Sequence, residues 1–147
     1  MLTCMRRPYL LLLLPILPAC QQPACIDDIP APFNVIEVST SVYQPAPGTP
    51  YMASEEAACR MWSLDKQQVA SLFQLSTRLS EGQLHDYDWL PCSIKGQAQA
   101  EGMVWEFEIN AAATSIWRSG DETRLMGCAQ ATCAPLVILM MPGRQGD

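Results

Sequence analysis

The chain has 147 residues, of which 49% are hydrophobic and 16% charged, and its formal net charge at pH 7 is −6. An acidic chain repels the phosphates of nucleic acid, so no nucleic-acid partner is expected. A solvated acidic surface, a basic protein surface or a divalent cation is compatible with this charge.

The first residues have the layout of a secretory leader. Residues 1–8 contain Arg6 and Arg7 but no acid, and residues 9–17 are almost entirely apolar. A basic segment followed by a short apolar run is typical of a signal peptide, and this run is shorter than the roughly 20 residues that span a bilayer. We predict that residues 1–19 form the signal peptide.

The tripeptide Pro-Ala-Cys occurs twice after the apolar run and ends at Cys20 and Cys25. Leu17 precedes Cys20 by three residues and Ala19 stands directly before it, whereas a polar residue replaces the leucine before Cys25. The first copy resembles the signal of bacterial lipoproteins. The resemblance implies a lipid on the Cys20 thiol that anchors the chain in the membrane. In bacterial lipoproteins an aspartate directly after the lipidated cysteine favours retention in the inner membrane. Because this chain has Gln21 there, the resemblance implies the outer membrane, with the domain facing the periplasm. The alternative is a secreted protein without lipid.

The segment 20–50 is predicted to be a tether that starts at the lipidated Cys20. Its last 30 residues include six prolines among small and polar residues, and such a chain extends by about 3.1 Å per residue. Within it, residues 33–43 contain β-branched residues in loose alternation, which favours an edge strand added to the domain or to a partner. Residues 51–147 then form one small domain.

Two helices are predicted at the start of this domain. Ser54 is a candidate N-cap for a short helix over 55–62, whose first turn carries two glutamates. Ser63 is a candidate N-cap for a longer helix that Gly82 ends. The apolar face of that helix consists of Val69, Leu72, Phe73, Leu75 and Leu79.

After a polar loop, the hydrophobic pattern changes to that of short strands. We predict strands over 89–100, 103–109, 114–119 and 122–127, joined by short connections typical of turns. The apolar run 136–141 is predicted to be a last buried strand or a short helix that seals the core. The predicted fold class is therefore α+β: an antiparallel meander of about four to five short strands on one long and one short helix.

The cysteines predict disulfide bracing. Apart from Cys4 in the leader and the lipidated Cys20, the chain has five cysteines, and disulfides are the default in an oxidising periplasm. We predict a local Cys128–Cys133 bond and a Cys59–Cys92 bond between the helices and the sheet. Cys25 remains unpaired or forms an intermolecular bond. Zinc bound by Cys128 and Cys133 is an alternative that suits the compartment less well.

No enzyme, metal or cofactor site is predicted. The one histidine, His85, neighbours Asp86 and Asp88, but adjacent side chains on an extended loop point apart, so a solvated loop is expected. Glu106 and Glu108 have the spacing of two carboxylates on one solvated strand face. Neither a nucleophile elbow nor a phosphate-binding glycine loop occurs in the sequence.

The strand connections predict a partner-binding row on the sheet. A two-residue turn at Gly120-Asp121 pairs Trp117 with Arg124, and a four-residue loop over 110–113 pairs Glu106 with Trp117. Glu106, Trp117 and Arg124 would then share the solvent side of the sheet. Exposed Trp and Arg are enriched in binding hot spots, so this row is the predicted partner-binding site. The alternative is that the row only shields the sheet.

Two functional classes agree with these features. The first is a non-enzymatic envelope lipoprotein whose tethered acidic domain binds another periplasmic or outer-membrane protein, as an assembly or secretion accessory. The second is an inhibitor or immunity-like lipoprotein that blocks a wall-directed enzyme, for which a protruding loop such as 80–88 would enter a basic cleft. The length of the tether favours the first class.

Overall fold

The computed structural model of the protein describes residues 33–140. The predictions on the signal peptide, on lipidation of Cys20 and on Cys25 lie outside these residues. Within 33–140, none of the helices has the length and apolar character that would let it span a membrane.

The fold is α+β, as predicted, with an antiparallel sheet of seven strands packed against helices in the described part of the chain. The strands are β1 (Asn34–Val38), β2 (Val42–Tyr43), β3 (Thr77–Leu79), β4 (Cys92–Ala100), β5 (Met103–Asn110), β6 (Thr114–Ser119) and β7 (Glu122–Gly127). The helices are α1 (Ala53–Met61), α2 (Lys66–Leu75), α3 (Glu81–Leu84) and a 3-10 helix over Ala131–Leu136. The strand order is β1-β4-β5-β6-β7-β3, and β2 also pairs with β4.

Strands β4 to β7 form the predicted meander, with bounds close to the expected ones. The β4–β5 turn contains Glu101 and Gly102, whose φ angles are 53° and 75°. Positive φ at both central residues is typical of a two-residue hairpin turn, because the twist of such a turn matches the twist of the two flanking strands.

The sheet begins before residue 51. Strands β1 and β2, which lie within the predicted tether, pair antiparallel with β4 of the same chain. The β1 register shifts between Val35 and Glu37, so Val35 and Glu37 occupy opposite faces of the sheet. Of the two expectations for residues 33–43, the structure shows the edge strand added to the domain itself.

The predicted long helix is shorter than expected. Helix α2 starts after Asp65, whose side chain accepts from the backbone N–H of Gln68 at 2.8 Å, so Ser63 is not its N-cap. It ends at Leu75, and the Ser76 hydroxyl donates to the carbonyl of Leu72 at 2.7 Å. Residues 77–79 pair with β7 instead of continuing the helix, because a strand offers their backbone groups partners at the sheet edge.

The other predicted ends also need correction. Helix α1 starts one residue before Ser54, so Ser54 lies inside it and is not its N-cap. The run after Leu136 forms neither a buried strand nor a helix up to Met140. Instead, the backbone N–H groups of Ile138 and Leu139 both donate to the Ala111 carbonyl, which leaves these two side chains exposed.

The core lies between the sheet and the helices and is rich in aromatic residues. Phe73 of α2 packs edge-on against Trp117 and Phe107, with ring centroids 4.4 Å and 5.0 Å apart. Phe33 contacts Phe73 with centroids 5.8 Å apart. Edge-to-face pairs of this kind stabilise a core beyond the area that they bury.

Both predicted disulfides are present in the structure. Cys59–Cys92 joins α1 to the start of β4, and Cys128–Cys133 joins the end of β7 to the 3-10 helix. All four cysteines are buried. A buried bond is shielded from exchange with external thiols, so both disulfides have a structural role.

We expect the two disulfides to contribute unequally to stability. In the chain-entropy model, the 33-residue separation of Cys59–Cys92 corresponds to about 3–4 kcal/mol and the 5-residue separation of Cys128–Cys133 to about 2 kcal/mol. Urea unfolding of the two double alanine variants measures the difference. An equal or larger loss for the Cys128 and Cys133 variant would contradict this ranking.

Candidate functional site

The register between β5 and β6 differs from the predicted one by one residue. The loop has three residues, Ala111 to Ala113, because Asn110 is still paired, opposite Thr114. Phe107 therefore pairs with Trp117, and the predicted pairing of Glu106 with Trp117 is wrong. The predicted pairing of Trp117 with Arg124 is confirmed.

Trp117 is consequently a core residue. Its side chain is only 6% exposed and packs against Phe73, while Ile116 lies on the opposite, open face of the sheet, half-buried. A side chain in this position is not accessible to a partner. The prediction that Trp117 anchors a binding face is therefore wrong.

Arg124 is engaged within the domain as well. Its guanidinium lies 4.2 Å from the ring centroid of the buried Trp105 and donates to both carboxylate oxygens of Glu101, at 3.1 Å and 2.8 Å. It also donates to Glu122 at 2.8 Å. The hydrogen bonds from Arg124 to Glu101 hold the pKa of the Glu101 carboxyl below its ordinary value. Arg124 thus covers the core and ties the β4–β5 turn to β7, and it is not free for a partner.

One tryptophan is nevertheless displayed to solvent. All four tryptophans of the chain lie in the described part, and three of them, Trp62, Trp105 and Trp117, are buried. Trp89 is 57% exposed. An indole offers a large contact area, and its exposure is a feature that folding alone does not require.

The backbone beside Trp89 is firmly held. The next residue, Leu90, donates to the side-chain oxygen of Asn110 at 3.1 Å and accepts from its amide nitrogen at 2.6 Å. Pro91 is buried, and its carbonyl accepts from Gln44 at 2.7 Å, directly before the disulfide-bonded Cys92. Trp89 is therefore presented from a fixed position and loses little backbone freedom on binding.

Two further apolar side chains are exposed at the same end of the sheet. Ile138 and Leu139 are 42% and 38% exposed, and both are bonded through their backbones to Ala111, the neighbour of Asn110. Asn110 in turn holds the residue after Trp89. We refer to Trp89, Ile138 and Leu139 as the Trp89 patch.

The segment that leads into Trp89 is acidic and solvated. His85, Asp86 and Asp88 are all exposed, as expected for a solvated loop. Among residues 33–140, no group of three or more His, Cys, Asp or Glu side chains is arranged to hold a metal ion. The charges of this loop border the Trp89 patch.

The open face of the sheet carries a separate, polar groove of about 470 Å³. Its charged and amide side chains are Glu37, Lys95, Gln97, Glu106, Glu108 and Arg118. Glu106 thus lies on the open face, but opposite Arg118 rather than beside an exposed indole. We call this feature the open-face groove.

Trp89 was not predicted as a site residue, because the predicted strand over 89–100 includes it. The strand starts only at Cys92, so the alternation that would have placed Trp89 on a strand face does not apply to it. The signal that could have found it is Pro91, because a proline near a strand start favours a boundary there.

We compared the chain with protein-family models, with curated proteins and with solved structures, and none of them matches it.

Proposed function

We propose that the protein is a non-enzymatic envelope lipoprotein, and that its domain binds another protein of the periplasm or outer membrane through the Trp89 patch. The observation that carries the proposal is the exposure of Trp89 on a backbone fixed by Asn110 and a disulfide-bonded neighbour. The lipid on Cys20 would hold the domain at the membrane where the partner resides.

The chemistry of the patch supports protein binding rather than catalysis. Tryptophan is among the residues most enriched in binding hot spots. Ile138 and Leu139 add exposed apolar surface at the same end of the sheet. Asp86 and Asp88 next to the patch would repel an acidic surface and attract a basic one. The partner is therefore proposed to present an apolar pocket with a basic rim.

Truncation of the anchor tests this proposal. Trp89→Ala should reduce recovery of a crosslinked envelope partner by at least tenfold, because loss of a hot-spot side chain costs about 2 kcal/mol or more. Val104→Ala is the matched control, since Val104 is 50% exposed but lies in the hairpin formed by β4 and β5. Quantitative mass spectrometry of the captured proteins provides the measurement. Equal recovery of the same protein by the wild type and by Trp89→Ala would contradict the proposal.

The anchoring part of the proposal has its own test. Cys20→Ser should abolish labelling with a radioactive fatty acid, whereas Cys25→Ser should leave it unchanged, because only Cys20 follows the lipoprotein-type sequence. Labelling that depends on Cys25 instead would show that the second Pro-Ala-Cys is the lipidation site.

An inhibitor or immunity-like lipoprotein is the second candidate. The acidic loop ending at Trp89 favours it, because an acidic segment that carries an indole could enter the basic cleft of a wall-directed enzyme. The captured partner distinguishes the two functions: an enzyme whose activity falls when the domain binds indicates an inhibitor, and an unaltered structural or transport protein indicates an accessory.

A further inference from the structure

We propose that the open-face groove binds a short peptide by its two free termini, with the ammonium between Glu37 and Glu106 and the carboxylate at Arg118. This site goes beyond the proposed protein-binding function. It shares no residue with the Trp89 patch, so each proposal stands or fails independently.

Three charged side chains of the groove have no ion-pair partner within the described part of the chain and can contact a ligand. Lys95 and Glu108 lie on paired positions, with Nζ and Oε2 3.6 Å apart, and so neutralise each other. Glu37, Glu106 and Arg118 form no ion pair within 4 Å with any residue in the described part of the chain. The unpaired groups are thus two carboxylates and one guanidinium.

The sheet places these groups in one row. Gln97 pairs with Glu37 on one side and with Glu106 on the other, and Glu106 pairs with Arg118. Neighbouring strands lie about 4.8 Å apart, so the two glutamates flank Gln97 from opposite sides. An ammonium above Gln97 can donate to both carboxylates, and the Gln97 amide oxygen is a third acceptor beneath it.

The row also sets the length of the ligand. Arg118 lies two strand spacings from Gln97, which is about 10 Å across the sheet, and its side chain can reach back several ångströms towards the ligand. The termini of an extended dipeptide are about 7 Å apart, at 3.3–3.6 Å per residue. A dipeptide therefore spans the distance from the glutamates to the guanidinium.

The mixed charge argues against simpler ligands. The guanidinium would repel a metal cation, and the two unpaired glutamates would repel a lone phosphate. A guanidinium is suited to a carboxylate, which it can bind through two parallel hydrogen bonds. The groove volume of about 470 Å³ lies within the usual range for a small-molecule site.

Blocked dipeptides provide the test. Isothermal titration of the full chain with alanylalanine should show saturable binding at a 1:1 ratio. N-acetyl-alanylalanine, which lacks the ammonium, and alanylalanine amide, which lacks the carboxylate, should each bind at least tenfold more weakly.

Variants assign each terminus to its residues. Arg118→Gln should weaken the binding of alanylalanine at least tenfold but leave the affinity for the amide unchanged, because that ligand has no carboxylate to lose. Glu106→Gln should likewise weaken alanylalanine but leave the acetylated form unchanged. Glu81→Gln, an exposed position on α3 outside the groove, and Trp89→Ala should both bind as the wild type does.

Two results would overturn the proposal. One is a dissociation constant above about 10 mM for alanylalanine with the folded wild-type chain, which corresponds to negligible affinity. The other is equal affinity for the free and the blocked dipeptides, or for Arg118→Gln and the wild type. Circular dichroism of each variant verifies that the sheet is intact.

Discussion

Replacing Trp117 by alanine is expected to lower the free energy of unfolding by about 3–5 kcal/mol, because the indole fills the space between the sheet and α2. Trp117 contacts Phe73 at 4.4 Å, Phe33 at 5.7 Å and Trp105 at 6.1 Å between ring centroids, so its removal leaves a cavity lined by aromatic rings. Urea unfolding followed by circular dichroism measures the loss.

The same substitution at Trp89 is the matched control. Trp89 is more than half exposed, so Trp89→Ala should change the free energy of unfolding by no more than about 0.5 kcal/mol. Comparable losses in the two variants, or a Trp117→Ala protein as stable as the wild type, would contradict the placement of Trp117 in the core.

The second large effect is expected at Gly96. A Cβ atom at this position would overlap the carbonyl oxygen of Glu37 and the ring of Phe107, so β1 would have to move away from β4 and the ring would have to shift as well. Since one obstacle is backbone, Gly96→Ala should cost about 4 kcal/mol, above the usual penalty of 1–3 kcal/mol for overpacking.

Gly82 provides the control for this prediction. A Cβ atom there meets no atom within 4 Å, and Gly82 lies in α3. Gly82→Ala should therefore raise the free energy of unfolding by about 0.5–1 kcal/mol. If Gly96→Ala unfolds at the same urea concentration as the wild type, then Gly96 does not lie beneath Phe107 as the structure shows.

The meander could be predicted from the sequence because its turns carry strong local signals. Gly102 and Gly120 both adopt positive φ, at 75° and 56°, and strands that alternate apolar and polar residues lie on either side of them. The disulfides could be predicted because four cysteines in the domain allow only three pairings and Cys128 and Cys133 lie five residues apart. For the turns and for the Cys128–Cys133 bond, the information lies within a few residues of the element.

The register of β6 could not be predicted, because it depends on contacts that are distant in sequence. The oxygen of the Asn110 side chain accepts from Leu90, twenty residues earlier, as well as from Ala112 at 3.0 Å, and these bonds keep Asn110 at the strand end. Ala113 then closes the loop with a φ of 66°, which is rare for a residue with a Cβ atom. A three-residue and a four-residue loop are thus equally compatible with the sequence.

The candidate site depended on that register. The shift by one residue moved Trp117 into the core and placed Arg118 opposite Glu106, because consecutive side chains of a strand point to opposite faces. The backbone next to Trp89 is held by a different contact, the pair of hydrogen bonds between Leu90 and Asn110. The local sequence pattern alone predicts neither the register of β6 nor the contact between Leu90 and Asn110.

Site-specific photocrosslinking in living cells tests the proposed binding role of the Trp89 patch most directly. A photoreactive amino acid at position 89 should give one discrete crosslinked product with an envelope protein, and the same residue at position 104 should give none or much less. The absence of a product at position 89, or equal products at both positions, would contradict the proposal that this patch is the partner-binding surface.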